Sequence, residues 1–140
     1  MEKHVKVGVS VLIINKRNQI LLGVRKGSHG AGMLSVPGGH LEYLESANDC
    51  CTRELLEEIG VAFDNQYKPI GFSEDVYGEK HYITLYYVVE DVDSDNILVQ
   101  TLEPEKCEGW NWLDFETLPS NLFCDTYNKL KEYYVTRKIS

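Results

Sequence analysis

The sequence lacks any apolar run long enough to cross a bilayer. Its longest aliphatic stretch, Val9 to Ile14, falls far short of the roughly 20 residues a spanning helix needs. The start, Met1-Glu2-Lys3-His4, has no apolar h-region and passes straight into an alternating strand pattern, so the expectation is an intracellular, cytoplasmic protein with no membrane partner. Positive charge is also scarce: 14 Lys and Arg stand against 22 Asp and Glu, a net charge of −8. That balance argues against a duplex nucleic acid as partner, because duplexes reward clustered Lys and Arg. A phosphorylated small molecule remains compatible if metal ions and a few local cations screen the charge. No CxxC pair occurs among Cys50, Cys51, Cys107 and Cys124, which reads as free thiols in a reducing compartment. Repeats, low-complexity stretches and linkers are missing too, so residues 1–140 read as one domain with a real core.

What is present alternates between strand and helix patterns. Val5 to Ile14 is rich in Val and Ile on both faces and reads as a central strand. Asn15 to Asn18 is a turn, and Gln19 to Val24 returns as a second strand of a hairpin. A loop with three glycines follows from Gly27 to Gly32, then a short extended piece, Met33 to Val36. Lys68 to Val76 and Lys80 to Glu90 read as strands, the second dense in β-branched and aromatic residues. Asp91 to Asn96 reads as an acidic loop. Ile97 to Gln100 and Gly109 to Leu113 read as short strands, and 121–136 as a last helix. Strands, helix, strands, helix imply a mixed sheet between helices.

The helix after the glycine pair Gly38-Gly39 carries the chemistry. Ser46 is its N-cap, with Asp49 as a variant capping box, and Gly60 stops it after Ile59. Leu55, Leu56 and Ile59 form its core face. Glu54, Glu57 and Glu58, spaced i, i+3 and i+4, project together on the other. Such carboxylates repel by roughly 0.2–0.5 kcal/mol per pair. Glu57 and Glu58 also sit at the negative end of the helix dipole. A helix built for stability alone would carry Lys or Arg there, so the pattern points to a bound divalent cation.

Gly39, five residues, Glu45, seven residues, then Arg53-Glu54-Leu55-Leu56-Glu57-Glu58-Ile59-Gly60-Val61 resembles the Nudix box at every defined position, over residues 39–61. The flanks fit as well: a strand hairpin before the box, and Trp112 to Pro119 after it. The resemblance implies an α/β (α+β) fold, an α/β/α sandwich with a mixed curved sheet. It implies an enzyme that hydrolyses a diphosphate linked to another moiety, with Mg²⁺ or Mn²⁺ as cofactor. It further implies that Glu57, Glu58 and the Gly39 carbonyl hold metal, and that Glu54 is a metal ligand or general base. Hard cations prefer such oxygen donors. Arg53 is expected to orient Glu54, Glu57 or Glu45. An extra acidic ligand is expected from Glu103 or Glu105, with Glu103 favoured.

Arg25 and Lys26, at the end of the second strand, are placed to meet phosphate oxygens. Gly38 and His40 are further candidates for substrate contact. His81 and Tyr82 face opposite ways on a strand, so only one of them lines a cleft. The segments Arg25 to Gly32, Pro37 to Glu42 and Glu103 to Trp112 are similar to a MutT-like subgroup of nucleoside triphosphate diphosphatases, among them the animal thiopurine and oxidised-guanine enzyme and its plant cytosolic relatives. That similarity implies conversion of a nucleoside triphosphate to the monophosphate and pyrophosphate, and a homodimer. Other readings are a nucleotide sugar, NADH or dihydroneopterin triphosphate as substrate, RNA cap removal, or a Nudix-fold binding module without turnover. Leu122-Phe123 is followed by Cys124 where the animal enzyme has tryptophan. Base stacking is therefore expected on Phe123 or Tyr127, and Trp110 and Trp112 are expected to be scaffold.

Overall fold

The computed structural model describes residues 3–27, 30–119, 128–129 and 131–133. Strands β1 (Lys6–Asn15), β2 (Gln19–Arg25), β3 (Leu34–Ser35) and β4 (Gly38–His40) precede helix α1 (Ala47–Glu58). Strands β5 (Lys68–Tyr77), β6 (Lys80–Val92) and β7 (Cys107–Asp114) follow it. The seven strands form one mixed sheet in the order β3-β2-β1-β6-β5, with β4 pairing β1 and β7 pairing β2. β1 and β6 run parallel, with Gly8 opposite Thr84 and Ser10 opposite Tyr86.

β1 is central because both of its faces are apolar. Val9, Val11 and Ile13 pack with Cys50, Cys51 and Leu55 of α1, and with Ile59 just after it, on one face. Leu12 and Ile14 pack with Val36, Tyr86, Val88 and Phe115 on the other. Tyr133 lies against that second cluster, its ring 6.3 Å from Phe115. The sheet is thus covered on both faces, an α+β layered fold. The turn after β1 is built by Asn15, whose buried side chain accepts from the backbone N–H groups of Arg17 and Gln19 and donates to Gln19 and Ser94. No buried amide is left to waste its hydrogen-bonding capacity there.

Several boundaries differ from the sequence reading, each for a local reason. Val5 lies outside β1 and is exposed, and only Leu34–Ser35 of the Met33 to Val36 piece is strand. Gly38–His40, read as a glycine pair before a helix, is itself a strand on β1. Asp91 and Val92 belong to β6 rather than to the acidic loop. The ladder slips there between Ile13 and Asn15, and Asp91 takes φ 55°. Ile97 to Gln100 is not a strand. Instead, Gln100 N–H donates to Ile59 O and Leu102 N–H donates to Glu58 O, so this segment caps the carbonyl end of α1. Leu56 is half exposed rather than in the core. Residues 128–129 and 131–133 are helical within the expected last helix. Leu122, Phe123, Cys124 and Tyr127 lie outside the described residues. Among the described residues, no helix is long and apolar enough to cross a membrane. Cys50, Cys51 and Cys107 are free, and burial pushes the thiols of Cys50 and Cys51 up to about 12, which makes both inert.

Candidate active site

β4 is pressed between β1 and α1, and its two glycines make that possible. A Cβ on Gly38 would lie 2.0 Å from Val9 O, and one on Gly39 would lie 2.1 Å from the Glu54 carboxyl carbon. The backbone N–H of Gly38 donates to Glu58 Oε2 at 2.9 Å. The approach therefore brings the Gly39 backbone against one helix carboxylate while Gly38 binds another.

Ser46 caps α1 by accepting from Asp49 N–H at 3.1 Å, and Gly60 takes φ 76° after the last turn. One helical face, Cys50, Cys51 and Leu55, is anchored in the core together with the C-cap residue Ile59. The opposite face presents Glu54 and Glu58 to a cavity of about 510 Å³. Glu57 is set apart from them. It is exposed, does not line the cavity, and meets Arg53 at 3.4 Å. The i, i+3, i+4 spacing puts all three on one side, and packing against β4 leaves Glu54 and Glu58 inside and Glu57 outside the cavity lining.

Arg53 ties the site together. Its Nε and Nη2 donate to the two oxygens of Glu45, at 2.7 and 3.1 Å. Nη1 reaches Glu54 Oε1 at 2.9 Å, and Nη2 also donates to His40 O at 2.9 Å. The guanidinium holds the Glu45 carboxyl down at about 2, and its own proton is held more tightly in return.

Glu103 joins from the segment that caps α1 and lines the cavity, whereas Glu105 is exposed and does not. Glu54, Glu58 and Glu103 act on one another electrostatically. Burial, aided by Glu54 and Glu103 and opposed by the Gly38 N–H, pushes Glu58 up to about 8. Burial also raises Glu54, opposed by Arg53 and aided by Glu57 and Glu103. Among the described residues no three acidic, His or Cys side chains are already gathered into a metal shell. The donor set nevertheless fits a hard divalent cation. It offers the oxygens of Glu54, Glu58 and Glu103 around one cavity, with the Gly39 backbone beside Glu54.

Arg25, Lys26, Gly38 and His40, the candidates for substrate contact, all line the same cavity. Burial lowers the pKa of His40, and the charges of Lys6 and Lys106 lower it further. Lys106 was not singled out by sequence reasoning. It lines the cavity and sits 3.4 Å from Glu103, with its proton held more tightly by that carboxylate. Its spacing three residues after Glu103 was the only available signal. Tyr77, Tyr82 and Trp110 also line the cavity. Tyr82 is the residue of the His81–Tyr82 pair that faces it, while His81 pairs with Glu74 at 2.6 Å. Trp110 and Trp112 both pack against the first core cluster, and Trp110 also faces the cavity. Phe123 lies outside the described residues.

The chain is similar over 124 residues, at 25% identity, to a zebrafish (Danio rerio) oxidized purine nucleoside triphosphate hydrolase, covering 84% of this chain and 72% of that protein. It is 30% identical over 130 residues to the zebrafish m7GpppN-mRNA hydrolase NUDT17, covering 81% of this chain but only 43% of the longer relative. A crystal structure of a MutT NUDIX hydrolase from Burkholderia pseudomallei superposes with a TM-score of 0.82 at 25% identity, covering 91% of this chain and 97% of that one. The model of the NUDIX domain matches residues 4–134. With the box, the fold and the acid-lined cavity in one place, the chain belongs to the NUDIX family and is a hydrolase of pyrophosphate bonds in nucleotide derivatives.

Proposed function

We propose that this hydrolase converts a nucleoside triphosphate to the monophosphate and pyrophosphate with Mg²⁺, or Mn²⁺, as cofactor. The observation that carries the reading is the composition of the cavity. Glu54, Glu58 and Glu103 line it together with the cations Arg25, Lys26 and Lys106, in a volume of about 510 Å³, the size of a nucleotide pocket. The similarity to an oxidized purine nucleoside triphosphate hydrolase supports the same substrate class.

The residues that would hold the metal are Glu54, Glu57, Glu58, Glu103 and the Gly39 carbonyl. When bound there, Mg²⁺ would offset phosphate charge and lower the pKa of a coordinated water. Arg25, Lys26 and Lys106 bind the phosphate chain and offset the charge that builds on the leaving pyrophosphate. Arg53 holds Glu54 through Oε1, and Oε2 takes the proton of the attacking water. Burial raises the pKa of Glu54, which makes its carboxylate a stronger proton acceptor than a free one. The water oxygen bonds to phosphorus, the α–β anhydride bond breaks, and pyrophosphate departs.

A cap-type nucleotide is the second reading, favoured by the similarity to an m7GpppN-mRNA hydrolase. One panel separates the two. The purified protein is offered each (d)NTP, a nucleotide sugar, NADH, dihydroneopterin triphosphate and a cap dinucleotide, with pyrophosphate and phosphate measured. Pyrophosphate release from a nucleoside triphosphate that vanishes on chelation, and in Glu57→Gln, is the expected result. No release from any triphosphate would overturn the first reading.

A further inference from the structure

The cavity is lined by aromatic rings as well as by charged groups. The rings of His40 and Tyr82 lie nearly parallel, 16° apart with centroids 5.9 Å apart. Tyr77 completes the group, tilted by 55° and 6.5 Å from Tyr82. None of the three belongs to either hydrophobic cluster, and all remain partly open to solvent. Three aromatic rings that line a cavity without serving the core need another reason to be there.

Strand register explains how they meet. Asp75 pairs with Tyr82 and Tyr77 with Lys80, so Tyr77 and Tyr82 are diagonal neighbours on one face of the β5–β6 hairpin. The two-residue turn Gly78-Glu79, with Gly78 at φ 60°, closes that hairpin and holds Tyr77 at the rim. On the other side His40 pairs with Gly8 of β1. A Cβ at Gly8 would lie 3.0 Å from Gly39 O and 3.7 Å from His40 Cδ2. Its absence lets β4, and the imidazole it carries, lie this close over the sheet.

We propose that His40, Tyr82 and Tyr77 form the seat for the nucleobase of the substrate, which stacks on the His40–Tyr82 pair while its phosphates reach toward Glu54, Glu58 and Glu103. A stacking shelf selects a planar aromatic group and tolerates many bases, since every base has a π-face. At 5.9 Å the two rings leave no gap for a third between them, so the base lies on the pair rather than inside it. The seat rests on the nucleotide reading above but locates the base on the described strands, where the sequence reading looked to Phe123 and Tyr127.

The test uses products, which cannot be turned over. Ring-proton resonances of His40 and Tyr82 are followed by NMR in the Mg²⁺-loaded protein as guanosine monophosphate, adenosine monophosphate or ribose 5-phosphate is added. Upfield ring-current shifts with both nucleotides and none with ribose 5-phosphate are expected. Tyr82→Leu and His40→Leu are each expected to weaken nucleoside monophosphate binding roughly tenfold or more, the loss of one base–aromatic stack. Tyr82→Phe, which keeps the ring, should retain most of it. Nucleotide binding without ring-current shifts, equal shifts with ribose 5-phosphate, or no binding of either nucleotide would overturn the seat. Should a variant fail to fold, the shifts in the unsubstituted protein decide alone. A protein that hydrolyses triphosphates but shows no shifts loses the seat and keeps the function. One that shows shifts but releases no pyrophosphate loses the function and keeps the seat.

Discussion

Glu58 holds its proton far above the range of a free carboxylate, up to about 8, because burial outweighs the single N–H that Gly38 donates. An acid whose folded pKa is raised makes no contribution below the unfolded value near 4.5. It then lowers stability as pH rises toward about 8, and the loss is constant above that. Chelated, metal-free protein should therefore lose stability between those limits, on the order of a few kcal/mol. Urea denaturation across that range checks this, and Glu58→Gln should flatten the slope. Gly39 acts at the same scale through space rather than charge. A Cβ there would collide with the Glu54 carboxylate at 2.1 to 2.4 Å. Gly39→Ala should cost about 1–3 kcal/mol of stability as an overpacked contact. It should also lower kcat at least roughly tenfold, because a carboxylate displaced by about 1 Å loses its geometry. Thermal melts and steady-state kinetics on the same preparation read both.

At the scale of elements, the site depends on how α1 is tied at its two ends. Arg53 links the helix to Glu45 and to the carbonyl of His40, so one side chain positions α1, β4 and the loop between them. Arg53→Lys keeps the charge but loses the fork. We expect kcat to fall roughly a hundredfold with helical content unchanged, and amide exchange across 38–45 to accelerate. Exchange that stays at the native rate would show that the guanidinium does not carry this tie. The low pKa of Glu45 has the opposite sign to that of Glu58. Its stabilisation is present above the unfolded value and is lost as pH falls toward about 2. At the other end, Gln100 and Leu102 donate to the last carbonyls of α1. That cap also delivers Glu103 to Glu58, so a contact that finishes the helix supplies the site with a third carboxylate.

For the molecule as a whole, the cavity gathers Glu54, Glu58 and Glu103 from distant parts of the chain, where a cation would relieve their mutual repulsion. Ligand binding to the folded state alone stabilises by about 2.7 kcal/mol at a hundred times its Kd. Saturating Mg²⁺ should therefore raise Tm by roughly 5–10 °C. A Glu54→Gln/Glu58→Gln/Glu103→Gln variant should show little or none of that rise. Differential scanning fluorimetry with Mg²⁺ and with chelator measures it. Equal rises in both proteins would point to cation binding elsewhere on the acidic surface.

Local pattern alone determined much of this protein. The spacing from Gly39 to Val61, the capped helix and the two-faced first strand follow from residues near one another in sequence, so the family, the fold class and the candidate helix carboxylates were legible there. Ile97 to Gln100 was misread as strand because its apolar residues have strand-like spacing, while its hydrogen bonds go to a helix some forty residues earlier. The same blindness to distance hid Lys106, whose meaning comes from Glu103, Glu54 and Glu58 together. Helical periodicity showed that Glu54, Glu57 and Glu58 share a side. Only packing against β4 decided that Glu54 and Glu58 enter the cavity and Glu57 stays at its rim. Nor could spacing bring His40, Tyr77 and Tyr82 together, since three strands meet there by register. Short-range chemistry is written in the order of the residues, whereas a cavity is made by surfaces that only folding brings face to face.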